Sequence, residues 1–539
     1  MRRDRAPWVI AALFVVSWFV LLGVRPLFNP DEGRYAEIPR EMLASHDWLV
    51  PHLNDLVYIE KPPLQYWATA ISFEVFGTSV WAARFYTGLC TLLTVLVSAA
   101  LARRLWGRTS AWRAAIMLSS MLAMIVIGQQ LTLDMSLTFF LTLTLAAFCV
   151  AQDEATPAPR RRRWMWLAWA SAAAAFLTKG LIALVLPALA LIAYSLLYRS
   201  WQPWRRLSLV AGIVLFALIT LPWCLLMQRH VPQFFDFFFI REHFQRFLTR
   251  IEDRYEPVWF FIPVLAVGCL PWILPAARAL GGAWKSSNAQ ARFEPRACLW
   301  VWSVVVFVFF SMSDSKLIPY ILPLFPALAL LMASAPADAL RRDLLRTATG
   351  VIAAGVLFVL AAAILPELLH DPARAPYFGQ LRLPLLAMGL VAAGGGFLAR
   401  GKSEPAATLG ITAYLSFAIL LVGARGVAPL YSGAALAEQI RHAIMPGTKL
   451  YAVHTYDQTL PFYLGRTMTL VDERGELDFG LTLEPDKGVA TLAAFAARWE
   501  AEPEALALIE PDIYALLHAQ GLPMVVRANS PRRLVVSRR

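Results

Sequence analysis

Long apolar runs alternate with short polar stretches along most of this chain, and the runs set its architecture. A helix crosses a bilayer with about 17–25 predominantly apolar residues. Runs of that kind fall near 8–24, 83–102, 112–128, 131–151, 164–178, 180–198 and 207–227. Others fall near 258–277, 298–312, 317–334, 347–365, 383–399 and 406–424. The pattern predicts a mainly α, polytopic membrane protein, with about thirteen transmembrane helices in residues 1–425.

From about Gly426 the pattern changes. AALAEQIRHAI, LAAFAARWEAE and DIYALLHAQ are helix-like, whereas KLYAVHT, TMTLV, ALALIE, PMVVRA and RRLVVSR are strand-like. Their alternation predicts a compact α/β domain over 426–539, outside the membrane. It has no Gly-rich phosphate loop, and the chain shows no internal repeat.

Charge tests the span count. With Arg2, Arg3 and Arg5 inside, alternation puts Arg103, Arg104 and Arg108 inside, then Arg160 to Arg163, then Arg199, Arg205 and Arg206. Lys285, Arg292 and Arg296 follow on that side, then Arg341, Arg342 and Arg346, then Arg400 and Lys402. Every basic cluster lands on one side, as the positive-inside rule requires. The N-terminus is therefore expected on the inner side of the membrane. The loops 25–82, 228–257 and 366–382 and the C-terminal domain are expected on the outer side.

The chain is 58% hydrophobic and 16% charged, against about 25% charged in soluble domains. Topology accounts for the formal net charge of +12, so nucleic acid is not an expected partner. The five cysteines lie in or beside apolar runs without CxxC spacing, which argues against a disulfide framework or a metal site. The N-terminal run is long and lacks a small-residue cleavage site, so it reads as an uncleaved first span.

One outer stretch stands out. Asn29 to Lys61 carries Asp31, Glu32, Arg34, Glu37, Arg40, Glu41, Asp47, Asp55, Glu60 and Lys61, interleaved with Tyr35, Ile38, Met42, Leu43, Trp48 and Leu49. A long, charged loop between spans is functional or disordered, and the apolar residues argue for order. After Pro62 and Pro63, LQYWATAISFEVFG suits an amphipathic helix at the interface, and Phe234 to Phe239, with Phe244 and Phe247, suit interfacial packing as well. Further polar residues gather at outer span ends: Gln129, Gln130, Asp134, Lys179, Arg241, Glu242, His243, Arg246, Lys316 and Tyr320. Ionisable groups at such depth are expensive and mark sites.

For each residue a blander role is available. Asp31 can cap a helix or act as the carboxylate that orients or deprotonates a nucleophile. Asp134 can serve a site or a buried pair with an arginine. Tyr320 offers a hydroxyl or a place in the aromatic belt. Lys61, Arg246 and Lys179 supply cations, which suit phosphate. Carboxylates and cations facing outward beside a bilayer fit a lipid phosphate substrate.

DEGRYAEIPREMLASHDWLVPHLNDLVYIEKPPLQYW, with LTLDMSL, LTKGLIALVLP, EHFQRFL, SKLIPYILPLFPALALL and YDQTLPFYLGR, resembles the bacterial 4-amino-4-deoxy-L-arabinose lipid A transferases. These belong to the GT-C class, with the protein O-mannosyltransferases. The resemblance implies transfer of aminoarabinose from undecaprenyl phosphate to a lipid A phosphate in the periplasm, with resistance to polymyxin and other cationic peptides as the consequence. It also implies a bacterial inner-membrane location, with the N-terminus in the cytoplasm and the active site and C-terminus in the periplasm. It makes Asp31 the catalytic aspartate and Asp134 a second acidic site residue. It gives Lys61, Arg246 and Tyr320 the carrier phosphate, with Lys179 a further cation beside them. It also puts Glu60 and His243 near a divalent metal, zinc, although the chemistry itself requires no cofactor. Partners are then the lipid-linked donor, lipid A and membrane lipids, and a monomer is expected. The alternatives are another polyprenyl-phosphate-sugar transferase, of hexose or protein O-mannosyl type, and a membrane transporter. Sparse mid-span charge and the lack of repeats argue against the transporter.

Overall fold

The computed structural model describes residues 6–245, 255–284, 293–372 and 374–539. A helix or a broken helix overlies each apolar run. Among the described residues, seven helices are long and apolar enough to cross a membrane alone, or eight if one bent pair is counted as a span. Length alone therefore does not establish thirteen crossings. The first helix, α1 (Ala6–Leu21), spans 16 residues. It leads into the first long loop, which folds as α2 (Asp31–Ser45), a two-stranded hairpin (His52–Leu53 and Leu56–Val57) and α3 (Leu64–Phe76).

Local chemistry fixes these pieces. Asn54 and Asp55 both have positive φ, 57° and 63°, as a tight hairpin turn requires. The Glu41 carboxylate on α2 accepts both turn amides, at 2.6 and 2.8 Å, and ties hairpin to helix. Helix α3 buries Tyr66, Ala70 and Phe73 and leaves Ile71, Val75 and Phe76 exposed, the arrangement of an interfacial helix. Ser79 then caps α4 (Val80–Trp106) by accepting the Ala82 amide at 3.2 Å.

Two expected single spans are broken. The run near 112–128 forms α5 (Arg108–Ser119) and α6 (Leu122–Gly128), bent by 60°. The run near 258–277 forms α11 (Phe261–Gly268) and α12 (Ile273–Gly282), with Pro271 between them. The breaks meet: the Leu122 amide donates to the Leu270 carbonyl at 3.1 Å, and the Trp272 indole donates to Ser120 Oγ at 3.0 Å. Backbone groups freed inside a membrane protein need such partners. Apolar content cannot reveal a break of this kind.

The most enclosed span is α7 (Leu133–Gln152), packed against α4 and α8 (Ala158–Lys179). In contrast, α10 (Leu209–His230) leaves Val210, Ile213, Val214, Leu218, Leu221 and Leu225 exposed along its length, a face suited to lipid. The remaining long helices are α9 (Ile182–Leu197), α13 (Pro295–Met312), α14 (Leu324–Ala333), α15 (Ala337–Leu368), α16 (Arg382–Arg400) and α17 (Pro405–Gly423).

The C-terminal region forms a six-stranded sheet in the order 488–489, 469–471, 450–453, 506–509, 534–537, 525–529. The first four are parallel, and the last two add antiparallel. Strand Leu450–Val453 is buried throughout and divides by alternation. Tyr451 and Val453 pack with Phe495, Trp499 and Leu517 of the domain's own helices. Leu450 and Ala452 share a core with Leu27, Tyr35, Ile38 and Leu53 of the first loop. The sheet is thus seated on the loop that carries Asp31.

Candidate active site

Asp31 opens α2, but its carboxylate does not cap the helix; Pro30 is the capping residue and makes no side-chain bond. Its side chain is 49% exposed. The other carboxylates assembled here are far less open: Glu60 and Glu476 at 18%, Asp134 at 11% and Glu242 at 7%. Arg34, one turn along α2, approaches Asp31 at 3.5 Å and Glu476 of the C-terminal domain at 2.5 Å.

Its neighbour Glu32 has a different task. Glu32 is buried and accepts from Arg25 at 2.5 Å, from Arg84 at 2.7 and 2.9 Å, and from the Phe28 and Leu131 amides at 2.9 and 3.0 Å. Burial pushes its carboxyl up, but Arg25 and Arg84 outweigh burial and hold it at about 2. The network joins the end of α1, the start of α2, helix α4 and the turn before α7. It therefore fixes the backbone carrying Asp31 relative to the one carrying Asp134.

Asp134 lies in the first turn of α7 and pairs with Lys179 at the end of α8, where a buried partner was expected to be an arginine. The Lys179 ammonium also stands 4.7 Å from the ring centroid of Tyr320, a cation–π contact. Asp134, Lys179 and Tyr320 therefore form one group.

Lys61 donates to Glu242 at 2.8 Å and lies 4.0 Å from Glu60. Burial raises the Glu60 pKa and Glu242 raises it further, against the pull of Lys61 and Arg34. Arg246 and Phe247, with the side chains of His243 and Phe244, lie outside the described residues. The described part of the expected metal site offers Glu60 and Glu242 with an ammonium between them. Among the described residues no three His, Cys, Asp or Glu side chains are placed to hold a metal ion. That donor set falls short of the three or four ligands of a zinc site.

Electrostatics tie the groups together. The buried Tyr35 hydroxyl feels Arg34, Asp31, Glu60 and Asp134 at once. Burial works against the Arg34 charge, yet Tyr58, Glu476, Tyr35 and Asp31 together raise its pKa above the usual guanidinium value. At the opposite end of α7, Arg104 bonds Asp153 at 2.8 Å and Arg206 bonds the Gln152 carbonyl at 2.7 Å. The helix between them, Leu133–Gln152, is 20 residues long, about 30 Å, one bilayer core.

Sequence reasoning missed three participants. Arg84 is a charge inside an apolar run, and that alone was a signal. Glu476 and the pairing role of Glu242 carry no local signature, because their partners are distant in the chain.

Residues 436–538 match the family described as the aminoarabinose transferase C-terminal domain, and residues 9–238 match the dolichyl-phosphate-mannose-protein mannosyltransferases. An undecaprenyl phosphate-alpha-4-amino-4-deoxy-L-arabinose arabinosyl transferase of Sodalis glossinidius is 38% identical over 378 residues, 68% of this chain. That match spans 66% of the relative's own length, just under two thirds. The enzyme of that name from Erwinia tasmaniensis is 30% identical over 543 residues, 93% of this chain and 92% of its own. A crystal structure of ArnT from Cupriavidus metallidurans bound to undecaprenyl phosphate superposes with a TM-score of 0.93. It is 36% identical, and the match covers 100% of this chain and 99% of that one. An archaeal oligosaccharyltransferase from Archaeoglobus fulgidus, at TM-score 0.52 and 12% identity, shares the fold.

Proposed function

This chain belongs to the undecaprenyl phosphate-α-4-amino-4-deoxy-L-arabinose arabinosyl transferases, and from that premise we propose that it moves the aminoarabinose onto a lipid A phosphate at Asp31. It is a membrane glycosyltransferase with an undecaprenyl-phosphate-linked donor, which removes the transporter reading. Lipid A as acceptor, the periplasmic face of the inner membrane as location, and action as a monomer belong to the proposal.

The observation that carries the reading is the unequal fate of the carboxylates. Glu32, Asp134 and Glu242 are consumed by cations, whereas Asp31 is half exposed at the mouth of the same cluster. A lipid A phosphate oxygen attacks the anomeric carbon of the sugar, that carbon's bond to the carrier phosphate breaks, and undecaprenyl phosphate leaves. A phosphate monoester has its second pKa near 6, about as for a phosphorylated side chain, and is mostly ionised at neutral pH. Asp31 therefore orients the acceptor and stabilises positive charge on the sugar more than it removes a proton. Lys61 and Arg246 neutralise the leaving phosphate. Lys61 takes the phosphate by exchanging Glu242 for it. Lys179 and Tyr320 complete the phosphate side, with Asp134 holding Lys179 in place.

The mannosyltransferase match over 9–238 favours a second reading, a hydroxyl acceptor, in which Asp31 acts as a general base. Mass spectrometry of lipid A separates the two. In a strain lacking its own transferase but supplying the lipid-linked donor, expression of this chain adds aminoarabinose to lipid A. Unmodified lipid A alongside a glycosylated hydroxyl acceptor would favour the second reading.

A further inference from the structure

We propose that Glu476, brought into the site by the C-terminal domain, is a positioning residue for the transfer that holds Arg34 and keeps it from closing on Asp31. The inference rests on the reading that Asp31 serves sugar transfer.

Arg34 stands between two carboxylates. Its Nη2 is 2.5 Å from Glu476 and its Nη1 3.5 Å from Asp31, so the closer ion pair is the one to the other domain. Glu476 is itself oriented, because Gln458 Nε2 donates to its Oε1 at 2.8 Å. The segment carrying Gln458 is locked to the first turn of α2. Asn29 donates to Asp457 at 2.9 Å and accepts the Thr459 amide at 3.1 Å. A Cβ at Gly33 would lie 2.4 Å from the Gln458 carbonyl carbon, an approach only glycine permits.

This arrangement has a chemical consequence. A guanidinium with an unoccupied end next to a carboxylate forms a two-bond fork with it. Released from Glu476, Arg34 would close on Asp31, occupying the oxygens that the acceptor needs. Held by Glu476, Arg34 keeps its Nε without a partner, and the buried hydroxyls of Tyr58 and Tyr66 beside it also lack partners among the described residues. The C-terminal domain thus completes the active site from outside the transmembrane body.

The test is steady-state transfer by the purified full-length protein, from undecaprenyl-linked aminoarabinose to lipid A. Glu476→Gln is expected to lower kcat by about 10-fold or more while the donor KM stays within about 2-fold, as displacement of a positioned group does. In an Arg34→Lys background the same change is expected to add nothing, since the two residues act as a unit. Lys487→Ala, which cuts a tether of the same domain to Asp55, is expected to leave kcat unchanged. If Glu476→Gln does not fold, Gln458→Met decides: a lowered kcat with normal KM supports the proposal. An unchanged kcat in a folded Glu476→Gln or Gln458→Met protein overturns it, as does full additivity with Arg34→Lys. If Asp31→Asn still transfers, the underlying reading fails and the proposal falls with it.

Discussion

Glu32 accepts two hydrogen bonds from Arg84, at 2.7 Å from Nε and 2.9 Å from Nη2, across 52 residues of chain. The pair, with Arg25, is the joint between the first long loop and the transmembrane helices. Removing one partner of a buried ion pair leaves the other uncompensated, at a cost of about 3–5 kcal/mol. Glu32→Gln is therefore expected to lower the melting temperature of the detergent-solubilised protein sharply. The pH dependence follows from the depressed carboxyl. In the folded protein it titrates at about 2, against an ordinary value of 4.5. Its stabilisation is present in full above pH 4.5 and is lost as the pH falls toward 2. Melting curves over that window are expected to fall for the wild type more steeply than for Glu32→Gln.

Lys61 is held by Glu242 in a contact that, on the proposed reading, the carrier phosphate displaces. Glu242→Gln removes a competing charge and is expected to tighten binding of undecaprenyl phosphate by about 5-fold, roughly 1 kcal/mol. Lys61→Ala is expected to weaken it by about 10-fold or more, as loss of a charge-assisted hydrogen bond does. Titration of the labelled carrier into each purified variant measures both changes.

The Asp134–Lys179 pair separates stability from activity. Each single change, Asp134→Asn or Lys179→Met, strands a charge at the end of a buried helix and is expected to destabilise the protein by more than the double change does. The double variant is expected to melt closer to the wild type yet transfer no sugar. A double-mutant cycle on melting temperature, with parallel transfer assays, checks both halves.

On the proposed reading both nucleophile and leaving group are phosphates, and Lys61, Arg246 and Lys179 would carry the charge stabilisation. Transfer is expected to continue after exhaustive chelation of the purified enzyme. Activity lost to chelation and restored by zinc would assign the Glu60 region a metal-dependent step.

Much of this was legible along the chain, for reasons that particular residues show. KLYAVHT reads as a strand from its apolar run, and Leu450–Val453 forms one. Asp31 and Lys61 were visible as charges in an outer loop. The bend at Ser120 was not, because its cause is a backbone bond to Leu270 and an indole bond from Trp272, both remote in sequence. Glu476 sits in DERGELD, which has the composition of any solvated turn. Only docking of the sheet on the loop brings it to Arg34.

The central claim is that Asp31 is the carboxylate at which sugar passes to the acceptor. Asp31→Asn preserves size and leaves the Glu32 network untouched. Its transfer of aminoarabinose from undecaprenyl phosphate to lipid A, followed by mass spectrometry on purified protein, tests the claim directly. The expected result is no product from a protein that melts like the wild type. A stable Asp31→Asn enzyme that transfers at the wild-type rate would contradict it.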